Sequence, residues 1–162
     1  MLSKKMQDAL NQQVNAEYFS SYLYLSMAAY FQAENLNGMA TWMKKQSQEE
    51  LMHALKIFDY IDSRGGKVTL TAIDAPETAW KSPLAVFEAT CKHEAHVTSL
   101  IHNLVNLAKA EKDHATESFL IWFVNEQVEE EDTAQQIVAK LKLVKDAPSG
   151  IFLMDRELGM RA

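Results

Sequence analysis

Cysteine is nearly absent: Cys91 stands alone among 162 residues, which excludes an internal disulfide and any zinc or iron–sulfur site built on several thiolates. Five glycines and three prolines are too few for a chain of many short strands and tight turns. No segment of spanning length is free of charge, and the opening MLSKKMQDALNQQ has no apolar run of the secretory kind. A cytoplasmic location with no membrane partner is therefore expected. A basic excess is missing too: the formal net charge is −6, which argues against nucleic acid bound through a general basic surface and suits a protein that attracts cations. The chain is 48% hydrophobic, enough to bury one core, and a single domain over residues 1–162 is expected.

Apolar residues recur at alternating steps of three and four in four stretches, which is helical periodicity. The first stripe runs Met6, Leu10, Gln13, Glu17, Ser20, Tyr24, Met27, Phe31, and the second Met39, Met43, Gln46, Glu50, His53, Ile57, Tyr60. The third is Leu84, Phe87, Cys91, Glu94, Thr98, Ile101, Val105, Ala108, and the fourth Leu120, Phe123, Gln127, Glu130, Ala134, Ile137, Leu141, Val144. Punctuation falls between them. Asn35 to Gly38 makes a short break, Arg64-Gly65-Gly66 a helix stop, Ser82-Pro83 a cap and first helical residue, and Glu111 to His114 a polar gap. Ala147 to Gly150 ends the fourth run and leaves an amphipathic tail, Ile151 to Leu158. The segment from Gly65 to Ser82 is long for a loop. Seventeen or so extended residues reach about 55 Å, and a helix of about 28 residues is roughly 42 Å long. The segment can thus run the length of the molecule and make the second and third helices parallel. The expectation is an all-α four-helix bundle with one long crossover plus a short C-terminal fifth helix.

The chemistry lies where the stripes break their own rule. Glu17, Glu50 with His53, Glu94, and Gln127 with Glu130 interrupt the four apolar faces near mid-helix. A buried carboxylate costs several kcal/mol and normally neutralises. Four of them meeting from four helices would repel at neutral pH unless cations sat between them, and no lysine or arginine occupies a neighbouring stripe position. Glu50 and His53 stand three apart, on one helix face, and Gln127 and Glu130 repeat the spacing. A carboxylate-rich set with one imidazole suits redox-active iron or manganese better than structural zinc. Five or six such ligands are enough for two metal ions.

These residues resemble the ferritins, and within them the bacterial non-haem ferritins, over essentially the whole chain. The segments NAEYFSSYLYLSMAAYF, QSQEELMHALKIFDYI, CKHEAH and FLIWFVNEQVEEE carry the likeness. The resemblance implies a ferritin-like bundle, a di-iron ferroxidase centre and an iron-storing homo-oligomer of 24 subunits with the last helix at the fourfold axis. Ferrous iron and dioxygen would be its substrates, and ferric iron would pass to a mineral core. It implies that Glu17 and His53 hold one iron, Glu94 and Glu130 the other, Glu50 bridges, and Gln127 positions dioxygen or water. Tyr24 matches the tyrosine beside the centre, as a source of an electron or a hydrogen bond, although its place also reads as a core aromatic. Trp122 matches a nearby aromatic or simply packs. Glu49, Glu126 and Glu129, with Glu130, match a third iron site, while the run Glu129 to Asp132 also reads as a solvated acidic face.

Haem is not expected. Bacterioferritin's haem methionine directly follows the bridging Glu, whereas here Leu51 takes that place and Met52 is about 100° further round the helix. Cys91 reads as a small buried residue and His93, His96, His102 and His114 as packing or surface histidines, His114 and Glu117 lying where the family builds its threefold channel. Two rivals remain at this level: a di-iron oxidase of an organic substrate, and a helical interaction module whose buried carboxylates only set packing specificity.

Overall fold

Five helices and no strand make up the protein, for which a computed structural model describes residues 1–162: α1 (Lys4–Ala33), α2 (Asn37–Ser63), α3 (Pro83–Glu111), α4 (His114–Val144) and α5 (Pro148–Gly159). Each start has a physical cause. The Ser3 hydroxyl accepts from the Met6 amide, Ser82 from Ala85 and Asp113 from Thr116, so three N-termini are capped by the residue before them. Pro83 sits at the first turn of α3, where a missing N–H costs nothing. Gly65 adopts a φ of 69° and closes α2, its amide donating to the Asp62 carbonyl and that of Gly66 to Ile61. Helix α2 has no cap of its own. Asp155 of α5 supplies one, its Oδ1 accepting from the Met39 amide at 2.8 Å. The tail helix begins at Pro148, three residues before the expected Ile151.

Two apolar clusters fill the bundle. One gathers Met6, Leu10, Ile57, Ile61, Ile101, Ala108, Leu120 and Phe123; the other Met27, Phe31, Met39, Met43, Phe87, Leu141 and Met154. The first therefore holds the starts of α1 and α4 with the ends of α2 and α3, which makes α2 and α3 parallel and each antiparallel to its sequence neighbour. Burying each large side chain stabilises the fold by about 1.5–3 kcal/mol.

The crossover follows α1 from start to end. Lys67 N donates to Gln7 Oε1, Asn11 takes the Lys67 carbonyl and the Thr69 amide, and Asn15 holds Thr71 and Ala72. Ser26 reaches the Glu77 carbonyl, and Trp80 packs edge-on against Tyr30. The third stripe is slightly rotated from its expected phase. Thr90, Val97 and Leu104 are buried, whereas Leu84, Cys91 and Thr98 lie at the margin. Cys91 is thus half-buried, and Glu94 keeps its inward place. No helix is long and apolar enough to cross a membrane.

Candidate metal centre

Between the two apolar clusters lies a belt of buried polar side chains contributed by all four long helices: Gln13, Glu17 and Ser20 from α1, Gln46, Glu50 and His53 from α2, Glu94 from α3, Gln127 and Glu130 from α4. The helical period puts them there, because each sits on an apolar stripe one turn from core residues on either side. The four carboxylates are 8% exposed or less. Two groups of ligand atoms form, Glu17, Glu50 and His53 in one and Glu50, Glu94 and Glu130 in the other, each within 4.8 Å. Glu50 belongs to both and stands between them. A third group joins His53, Glu126 and Glu130.

No lysine or arginine pairs with any of the four carboxylates. Amides serve them instead. Gln13 Nε2 donates to Glu17 Oε1 at 2.8 Å; Gln46 Nε2 donates to Glu130 Oε2 at 2.7 Å and Glu50 Oε1 at 3.2 Å; Gln127 Nε2 donates to Glu94 Oε2 at 3.1 Å. Tyr24 donates its hydroxyl to Glu94 Oε1, and His53 Nδ1 lies 3.2 Å from Glu50 Oε2. Glu17 Oε2 is buried with no hydrogen-bond partner. Such an orphan is costly unless something meets it. A divalent cation would, and the carboxylate-rich set with a single imidazole is compatible with iron.

Electrostatics agree. Burial and then Glu50 push the Glu17 carboxyl well above its usual value; burial, Glu94 and Glu130 do the same to Glu50. Burial raises Glu94 despite its bonds from Tyr24 and Gln127, and burial with Glu94 raises Glu130 to about 7. Without a cation the cluster would hold protons. Burial, then the charge of Glu94, also raises Tyr24, which stays a donor.

The residues expected further out are less uniform. Glu126 Oε1 lies 3.8 Å from His53 Nε2 and so joins the cluster. Glu49 is half-exposed and turned to Arg161, whose Nη2 is 2.6 Å from its Oε2. Glu129 is exposed and makes no ion pair. Trp122 and His53 pack in a T-shaped pair at 5.3 Å between ring centres, with Lys56 Nζ 3.8 Å from the centre of the Trp122 ring. Met52 is on the open surface, away from the buried face. Of the remaining histidines, His93 is the one near the site, its Nε2 2.7 Å from Ser20 Oγ; burial and then His96 lower it to about 4.

Three contributors escaped the sequence reading. In the sequence Gln13 and Gln46 read as stripe positions and not as partners of the carboxylates, although each stands four residues before its Glu, the spacing at which helix side chains meet. Arg161 carried no local signal, since 115 residues separate it from Gln46.

Comparison with known proteins shows the family of the chain. Residues 7–144 match the family model for the ferritin-like domain, Ferritin. A bacterial non-heme ferritin of Bacteroides fragilis is 54% identical over 161 residues, spanning 99% of this chain and 100% of that protein. One of Staphylococcus epidermidis is 41% identical over 162 residues, spanning 100% and 98%. Among solved structures, an open pore ferritin from the hyperthermophilic archaeon Archaeoglobus fulgidus superposes with a TM-score of 0.99 at 51% identity, each chain covered in full.

Proposed function

Because the chain belongs to the ferritin family, we propose that it is an iron-storage subunit whose polar belt is a ferroxidase centre. Ferrous ions and dioxygen are its substrates, and its ferric product passes to a mineral inside a hollow cytoplasmic shell of 24 copies, formed from one domain over residues 1–162. The observation that carries this is the meeting of Glu17, Glu50, Glu94 and Glu130 in a buried belt with one orphaned oxygen and no lysine or arginine paired to any of the four.

Glu17 and His53 hold one ferrous ion, Glu94 and Glu130 the second, and Glu50, common to both groups, holds the two together. Two ferrous ions side by side give up one electron each, and dioxygen with two protons becomes hydrogen peroxide. The protein supplies place and charge. Four carboxylates offset the incoming positive charge, and the protons they hold in its absence leave as it enters. Tyr24 and Gln127 grip Glu94 from opposite oxygens, so its rotamer is set before metal arrives. Gln46 does the same between Glu50 and Glu130. Glu126, grouped with His53 and Glu130, would together with Glu49 and Glu129 give the oxidised ion a way out, as the family resemblance implies.

Ferrous iron added to the metal-free protein under air tests this. Rapid oxygen uptake with a soluble ferric product supports the proposal. Oxidation no faster than in protein-free buffer would refute it, and favour a module whose carboxylates serve packing alone.

A further inference from the structure

Arg161 reaches back from the residues after α5 into the edge of the polar belt. Its Nη2 pairs with Glu49 Oε2 at 2.6 Å, its Nη1 donates to Gln46 Oε1 at 3.0 Å and to the Trp42 carbonyl at 3.3 Å, and the guanidinium lies 4.4 Å over the Trp42 ring. Lys45 Nζ donates to the Arg161 carbonyl. Its side chain is 21% exposed although it is charged and lies outside any helix. This is a built seat, and α5 aims the residue into it. Helix α5 crosses the start of α2, where Gly38 and Gly159 allow the two backbones to touch and Asp155 caps α2.

Two properties of the seat bear on metal. Glu49, proposed above as a ligand of the departing iron, already has a cation. Gln46 has its carbonyl end taken by Arg161, which leaves only its NH2 end to face Glu50 and Glu130. A planar fork can grip both groups at once, as a lysine cannot. We propose that Arg161 is a positioning residue that competes with the third metal ion for Glu49 and, through the same fork, fixes the amide of Gln46 against the paired carboxylates. A third ion can use Glu49 only once the guanidinium has let go, so Arg161 sets how readily metal moves outward from the centre. The inference rests on the ferroxidase reading.

Calorimetric titration of the assembled, iron-free protein with Zn²⁺, which is not oxidised, tests it. Wild type is expected to take two ions tightly and a third weakly per subunit. Arg161→Ala should tighten the third by about fivefold, the amount a part-exposed charged pair is able to withhold. Arg161→Lys, which keeps the charge, should return the third site towards wild type, yet weaken the first pair as Arg161→Ala does, because Gln46 is released in both. In a Glu49→Gln background, Arg161→Ala should leave the third site unchanged. A third-site affinity within twofold of wild type in Arg161→Ala overturns the inference, as does equal tightening in the Glu49→Gln background. Failure of wild type to bind any pair of ions overturns the ferroxidase reading instead, and is read from wild type alone.

Discussion

Gly38 and Gly159 meet with no room between them: a Cβ on Gly159 would stand 2.9 Å from the Gly38 Cα, and one on Gly38 would stand 1.8 Å from the Asp155 carbonyl oxygen. Neither neighbour is a flexible side-chain tip, so α5 must lift off α2 if a methyl group is added. Gly38→Ala is expected to lower stability by about 1–3 kcal/mol, the usual range for overpacking, although alanine is the better helix former. Thermal unfolding and amide exchange in α5 give the check. An unchanged melting temperature with α5 still protected would show that the tail is seated by other contacts.

Removing the orphaned carboxylate separates function from stability. Glu17→Gln keeps the shape of the side chain and deletes a group that burial and Glu50 both disfavour as an anion. The metal-free variant is expected to be as stable as wild type or about 1 kcal/mol more so, while rapid iron oxidation falls to the background rate. Denaturant unfolding and stopped-flow absorbance measure the two. Loss of stability together with activity would mean that the carboxylate serves the fold.

The pH profile of the metal-free protein should show two windows of opposite sign. Glu130 sits at about 7, and Glu17, Glu50 and Glu94 above their usual value of 4.5. The folded chain thus binds more protons than the unfolded one from about 4.5 up to about 7, so stability is highest at the acid end of that window and falls as pH rises. Asp113 runs the other way. Burial alone would raise it, but bonds from Thr116 and Arg64 outweigh burial and hold it below 3.8. Its contribution is present above its unfolded value and disappears as pH falls through the lower folded one. Denaturation midpoints should therefore peak between pH 3.8 and 4.5, the unfolded values of Asp113 and of the raised carboxyls. Zn²⁺ should flatten the upper limb and release protons as it binds. A midpoint that climbs steadily from about pH 5 to about pH 8 without metal would contradict the raised carboxyls.

How much of this was legible in the sequence depends on the range of each signal. Helix ends were readable because Ser82-Pro83 and Gly65 act within a few residues of themselves. The convergence of Glu17, Glu50, Glu94 and Glu130 was readable because each breaks a periodic pattern, and the structure gathers all four. The pairing of Glu49 was not: the family resemblance implies a ligand there, while its partner Arg161 lies 112 residues away and sequence spacing carries no trace of the contact. The crossover was placed by length alone. What guides it is Gln7, Asn11 and Asn15, spaced four apart on one face of α1, whose amides imitate a neighbouring strand for the loop backbone. Asn11→Leu should free the loop, raise amide exchange at Thr69 and cost about 1 kcal/mol, leaving the helices intact. Unaltered exchange at Thr69 would show that Gln7 and Asn15 suffice.

Tyr24 offers the sharpest division between packing and chemistry, because its ring is fully buried among Met27 and Phe31 while its hydroxyl ends on Glu94 Oε1. Phenylalanine fills the same space and loses only the donor. In Tyr24→Phe, Glu94 keeps Gln127 on one oxygen, and its other oxygen is left in a dry site with nothing to face until metal enters. The carboxyl should then be held less firmly in the rotamer that serves the second ion, and the tyrosine is no longer at hand to supply a hydrogen or an electron. Oxidation of the first two ferrous ions per subunit is expected to slow by about tenfold, the order of one charged hydrogen bond, with melting temperature and assembly near wild type. If the slowing is positional, Zn²⁺ affinity at the Glu94 side should fall in step with the rate. If it is redox, affinity should hold while the oxygen consumed per iron changes. A variant that matches wild type in rate, affinity and oxygen use would return Tyr24 to the core as an ordinary aromatic.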